Sequence, residues 1–86
     1  MNTNKLFHEV LDKTPPEIKK QSDYGFRISD KIDARMKELN MTKDDLAIIT
    51  GASNRSVTLW LSGQHNFTIK TLAKISVALD FDLIKI

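Results

Sequence analysis

Between Thr42 and Thr68 the chain carries helix starts and stops in quick succession, and this punctuation constrains the fold more than any other feature. Thr42 stands three residues before Asp45 at the head of an apolar run. That is a capping-box pattern, in which hydroxyl and carboxylate satisfy orphan backbone donors. The helix it starts runs to Thr50, where Gly51 supplies a turn that residues with a Cβ enter only at a cost. Ser53 caps a second helix, which ends at Ser62-Gly63. Thr68 caps a third, with Phe67 placed to pack against Leu72 as a hydrophobic staple. Two short helices joined by a tight glycine-containing turn define a helix-turn-helix, here Thr42 to Ser62.

The flanking sequence supplies partners for this unit. Leu6, Phe7, Val10 and Leu11 recur at helical spacing and predict a short helix over 3–13. Thr14-Pro15-Pro16 stops it, because proline lacks the backbone donor and pushes its predecessor out of the helical region. The polar stretch 17–22 has no clear periodicity. From Asp23 to Leu39, the residues Ile28, Ile32, Met36 and Leu39 form one apolar stripe on a core-facing helix that Asn40 ends. Ile69, Leu72, Ala73, Ile75, Ser76 and Leu79 give the third capped helix its inner face. The tail, 82–86, mixes β-branched and apolar residues and reads as a short strand. The expectation is an all-α fold: a compact bundle of about five helices with a central helix-turn-helix and a short C-terminal strand. Its parts are an N-terminal helix and connector at 1–22, a helix-turn-helix domain at 23–81 and a strand at 82–86 that offers a dimer seam.

Composition narrows the function classes. Eighty-six residues, 41% of them hydrophobic and 28% charged, make one globular domain. With no cysteine there is neither a disulfide framework nor a thiolate metal site, which fits a reducing cytosol. Met1-Asn2-Thr3-Asn4 opens no secretory signal, and Leu46-Ala47-Ile48-Ile49, the longest apolar run, is far too short to span a bilayer. A cytoplasmic, membrane-free protein is expected. The formal charge of +2 is a weak hint of a polyanionic partner, but its distribution says more. Residues 41–75 hold 4 basic and 2 acidic groups, whereas residues 1–40 hold 8 and 7 and residues 76–86 hold 1 and 2. The surplus coincides with the motif, as phosphate neutralisation requires.

Stepping about 100° per residue from Asn54 puts Val57, Trp60 and Leu61 within one arc, the buried face of the second helix. Arg55, Thr58, Leu59 and Ser62 fall opposite, with Asn54 at the edge. Such a face suits a major groove, where Arg pairs with guanine, Asn with adenine, and an apolar side chain meets the thymine methyl. Trp60 belongs to the core arc and not to base stacking. His8 and His65 have no carboxylate at ligand spacing, so no metal site is expected, and no cofactor. Asp44 and Asp45 read as first-turn partners of the helix dipole and not as catalytic carboxylates. Neither a nucleophile–base pair nor a glycine-rich phosphate loop is present, so enzyme activity is not expected.

Residues 42–79 resemble the lambda-repressor/Cro-like helix-turn-helix family, also called the XRE family. The likeness rests on LAIITG (Leu46 to Gly51), SNRSVTLWLSG (Ser53 to Gly63) and NFTIKTLAKI (Asn66 to Ile75), and extends loosely over 23–39. It implies that Asn54, Arg55, Thr58 and Leu59 face bases. It further implies that Thr42, Lys43, Ser56, Gln64, His65 and Asn66 lie near phosphates. Leu59 departs from the family's usual polar or basic reader. Thr50 replaces an aliphatic core residue, and Ile48 is apolar where the family is usually exposed, with the N-terminal helix as its expected cover. The expected function is sequence-specific binding of double-stranded DNA by a transcriptional regulator, a repressor, acting as a homodimer. The alternative is an antitoxin or other interaction module whose main partner is a protein, with residues 1–25 as the natural contact region.

Overall fold

The computed structural model describes residues 14–86. The helix expected at 3–13 lies outside the described residues, as does His8. Thr14-Pro15-Pro16 turns out to begin a helix. Proline's fixed φ and missing N–H suit the first helical position, where the donor would be orphaned anyway. Helix α1 accordingly spans Pro16–Glu38, with Pro15 as its N-cap. Its expected start at Asp23 is therefore corrected to Pro16, and the polar stretch 17–22 forms its opening turns. A polar, exposed helical extension of this kind leaves no apolar period to read.

The buried line of α1 is Gly25, Ser29, Ile32 and Met36, a stripe rotated from the expected one. Ile28 is half-buried and Leu39 is 40% exposed. Small residues face inward at the N-terminal half because another segment comes close there. A Cβ on Gly25 would lie 3.2 Å from the Gly63 carbonyl oxygen. Asn40 closes α1 as expected, in the left-handed region at φ 51°. The Met41 N–H then donates to the Met36 carbonyl at 2.8 Å and the Asn40 N–H to that of Lys37 at 3.2 Å. These are the two bonds of a Schellman cap.

Three shorter helices follow: α2 (Lys43–Thr50), α3 (Asn54–Leu61) and α4 (Ile69–Leu79). Each starts at its expected cap. Thr42 and Asp45 form the full capping box, Ser53 accepts from the Ser56 N–H, and Thr68 accepts from the Thr71 N–H. Gly51 sits between α2 and α3 at φ 74°. The core joins Ile32 and Met36 of α1 to Leu46 and Ala47 of α2, Val57 and Trp60 of α3, and Leu72, Ile75 and Leu79 of α4. Phe67 and Met41 pack against its margin.

Beyond α4 the expected strand at 82–86 is absent; no strand occurs among the described residues. Asp80 turns the chain at φ 53°, and the Phe81 N–H returns to the Ser76 carbonyl at 3.2 Å. Leu83 is then buried in the core, 2% exposed. Its N–H donates to Ser76 Oγ at 3.3 Å and its carbonyl accepts from Lys31 Nζ at 3.4 Å. The tail folds back on its own helices, so side chains of α1 and α4 satisfy backbone groups that a strand would have paired. The fold is all-α, with four helices among the described residues.

Candidate nucleic-acid interface

The placement of α3 rests on its inner side. Val57 is fully buried and Trp60 is 5% exposed, which anchors two successive turns in the core. A single hydroxyl fixes its C-terminal end. Ser29 Oγ of α1 donates to the Trp60 carbonyl at 2.6 Å and accepts the Gly63 N–H at 3.1 Å. That carbonyl belongs to the last turn, where intrahelical donors run out. Ser29 therefore ties α1 to both the end of α3 and the loop after it. Gly63 takes φ 81°, a left-handed conformation that residues with a Cβ enter only at a cost, and a Cβ there would also run into the Phe26 ring.

With its inner side fixed, α3 presents Asn54, Arg55, Thr58 and Leu59 to solvent, Leu59 at 47% exposure. All four expected base-facing residues thus lie on the outward side. Among the described residues no ion pair holds Arg55. Asn54 is engaged: its Nδ2 donates to Asp44 Oδ1 in the first turn of α2 at 2.7 Å. Beside this pair lies a shallow groove lined by Ala47, Ile48, Gly51 and Ala52.

Of the residues expected at phosphates, Thr42 and Lys43 precede α3, Gln64, His65 and Asn66 follow it, and Ser56 lies within it. Thr42 and Lys43 are exposed at the start of α2, on the side where Asp44 reaches Asn54. The Thr42 N–H already donates to Asp45 Oδ2 at 2.9 Å, and its Oγ1 accepts the Asp45 N–H at 3.1 Å. These bonds hold the Asp45 carboxyl below the usual carboxylate range, the backbone donor contributing most and the hydroxyl next. Gln64, His65 and Asn66 follow the far end of α3. Gln64 and Asn66 are exposed, and the Gln64 N–H bonds Ser62 Oγ at 3.1 Å. His65 is half-buried, edge-on to Phe67 with ring centroids 4.8 Å apart. Ser56 is half-buried too, its hydroxyl accepting from Ser53 Oγ at 3.1 Å.

Of the departures from the family pattern, Thr50 finds a physical form. Thr50 is buried, and its hydroxyl donates to the Leu46 carbonyl at 2.7 Å, so it enters the core with its polar atom satisfied. Ile48 is 78% exposed, and its expected cover lies outside the described residues. Two residues escaped the sequence reading of the site. Ser29 sits among charged neighbours and carries no periodic signal. Asp44 was assigned to the helix dipole, and its partner lies ten positions away across a turn whose geometry no spacing rule specifies.

Among the described residues no helix is long and apolar enough to cross a membrane, and no group of His, Asp or Glu side chains is arranged to hold a metal ion. Comparison with curated proteins and with solved structures found no match. The profile of the Cro/C1-type HTH DNA-binding domain matches residues 31–84, which takes in the C-terminal third of α1, the whole of α2 to α4 and most of the folded-back tail. A match over more than half the chain, on the same helices that present Asn54, Arg55, Thr58 and Leu59 outward, means that the chain belongs to the Cro/C1-type helix-turn-helix DNA-binding family.

Proposed function

We propose that this chain is a transcriptional repressor that reads a specific double-stranded DNA site by laying α3 in the major groove, in the cytoplasm of its cell. The observation that carries the reading is the outward face of α3: Arg55, Thr58 and Leu59 exposed on a helix whose opposite side is locked into the core. Arg55 is the guanine reader, Asn54 the adenine reader, and Leu59 the contact to a thymine methyl. Lys43 and Thr42 at one end of α3, and Gln64, His65 and Asn66 at the other, grip phosphates on either side of the groove. Ser56 contributes from the first turn of α3, where helix dipole and free backbone donors favour an anion.

One such helix reads only a few base pairs, so a unique site requires two copies. The active form is a two-fold homodimer on a near-palindrome, with half-sites about 34 Å apart or a multiple of that. Recovery of bound duplexes from a random pool tests the reading. It should return a short near-palindrome, and Arg55→Ala should lose one guanine position of it. A pool that stays random after repeated selection would refute the proposal.

A second reading, that the chain also grips a protein such as a toxin, draws support from one patch. Ile48 and Ile49, 78% and 56% exposed, border a surface groove shared with Leu39 and Met41. Its test is co-purification with a toxin-like partner protein, which Ile49→Ser should abolish while leaving DNA affinity intact, since Ile49 lies outside the groove beside Asn54.

A further inference from the structure

The bond between Asp44 and Asn54 bears on which base Asn54 selects. An ionised carboxylate only accepts hydrogen bonds, so the group facing Asp44 Oδ1 at 2.7 Å must be the Asn54 amide nitrogen, as observed. The reversed amide would set oxygen against oxygen. Asp44 thus permits one of the two amide orientations and forbids the other. Both residues are exposed, and the bond crosses from the first turn of α2 to the first turn of α3, so it lies at the mouth of the proposed groove site.

An amide nitrogen carries two hydrogens. With one given to Asp44, Asn54 keeps its other N–H and its carbonyl oxygen, a donor beside an acceptor. Adenine presents the complement in the major groove, an N7 acceptor beside an N6 donor. Guanine offers two acceptors there, and the amide oxygen would have no partner against it. We propose that Asp44 is a specificity-determining positioning residue, which fixes the Asn54 amide in the orientation that accepts from N6 and donates to N7 of adenine. This rests on the α3 docking proposed above. Asp44 also sets a negative charge close to where the phosphates pass, so it opposes binding to DNA in general while sharpening the choice at one base.

Ordering a free side chain on binding costs about 0.5–1.5 kcal/mol, or a factor of roughly 2–12 at 25 °C. Removing Asp44 returns that cost to the adenine complex and admits the reversed amide. The experiment selects sites from a random duplex pool with wild type, Asp44→Ala, Asp44→Glu, Asn54→Ala and the double variant, each first checked for a wild-type melting curve. Expected for Asp44→Ala is an adenine preference at the Asn54 position weakened by about 2–12-fold, with other positions unchanged and affinity for random DNA raised. Asp44→Glu, which restores the acceptor on a longer arm, recovers part of the preference. Asn54→Ala removes it, and adding Asp44→Ala to Asn54→Ala changes the base preference no further. An Asp44→Ala protein that keeps the full adenine preference, while Asn54→Ala loses it, overturns the positioning role and leaves the docking intact. If Asn54→Ala and Arg55→Ala both leave every position unchanged, the docking itself is wrong and the role of Asp44 falls with it.

Discussion

Replacing Ser29 by alanine removes one oxygen atom, and the structure makes it among the most costly small changes available. Ser29 is 4% exposed, and its hydroxyl serves the Trp60 carbonyl and the Gly63 N–H together. Alanine keeps the backbone of α1 in place but offers neither group a replacement partner. A buried polar group left unsatisfied costs about 1–3 kcal/mol, so two of them set the loss at roughly 2–4 kcal/mol once partial relaxation is allowed. Total stability for a domain of this size is on the order of 4–13 kcal/mol, at 0.05–0.15 kcal/mol per residue. Urea unfolding followed by circular dichroism reads the effect as a fall in the midpoint at constant slope. In a heat melt it corresponds to a drop of roughly 10–25 °C. Ser62→Ala is the control: it also deletes a hydroxyl with two backbone partners, but an exposed one, and should stay within about 0.5 kcal/mol of wild type. A Ser29→Ala protein as stable as the control would refute the reasoning that this hydroxyl clamps the end of α3.

Trp60→Ala empties a buried site and should cost about 3–5 kcal/mol in the same urea assay, so any loss of DNA binding it shows reports unfolding and not a lost contact. Lys43→Ala should weaken binding about equally for all duplexes and reduce the slope of log affinity against log salt by about one unit, read by titration over a salt series. The Asp45 carboxyl is held below its unfolded value, so its capping contribution is fully present above about pH 4 and is lost as pH falls through the lowered folded value. Acid unfolding of wild type should therefore steepen below about pH 4, and Asp45→Asn, already without that contribution, should show a shallower decline.

What could be read from the chain, and what could not, divides along the range of the forces involved. Caps and turns are settled by residues three or four apart, and Thr42, Gly51, Ser53 and Thr68 all stand where their chemistry demands. The outward face of α3 was equally legible, because a buried tryptophan and valine fix the rotation of a short helix. The start of α1 at Pro16, seven residues before the expected Asp23, was not legible because its opening turns are polar and exposed and carry no apolar period. The tail misled through its composition: Leu83, Ile84 and Ile86 favour a strand, but burying Leu83 between α1 and α4 outweighs that local preference. It also withdraws the tail as a strand-paired dimer seam. Ser29 and Asp44 act through partners set by tertiary placement, 31 and 10 positions away, and local pattern holds no record of such pairs.

The central claim, that Arg55 on α3 reads guanine in the major groove, has a direct test by atomic substitution in the DNA. Replacing each guanine of the selected site in turn with 7-deazaguanine deletes the N7 acceptor and leaves Watson–Crick pairing and the minor groove unchanged. Wild-type protein should lose affinity at one guanine per half-site by about 1–3 kcal/mol, the range for a bidentate contact. Arg55→Ala should bind the natural and substituted duplexes equally, because the contact is already gone. Wild-type binding indifferent to every substitution, or an Arg55→Ala protein as sensitive as wild type at the same guanine, would contradict the account.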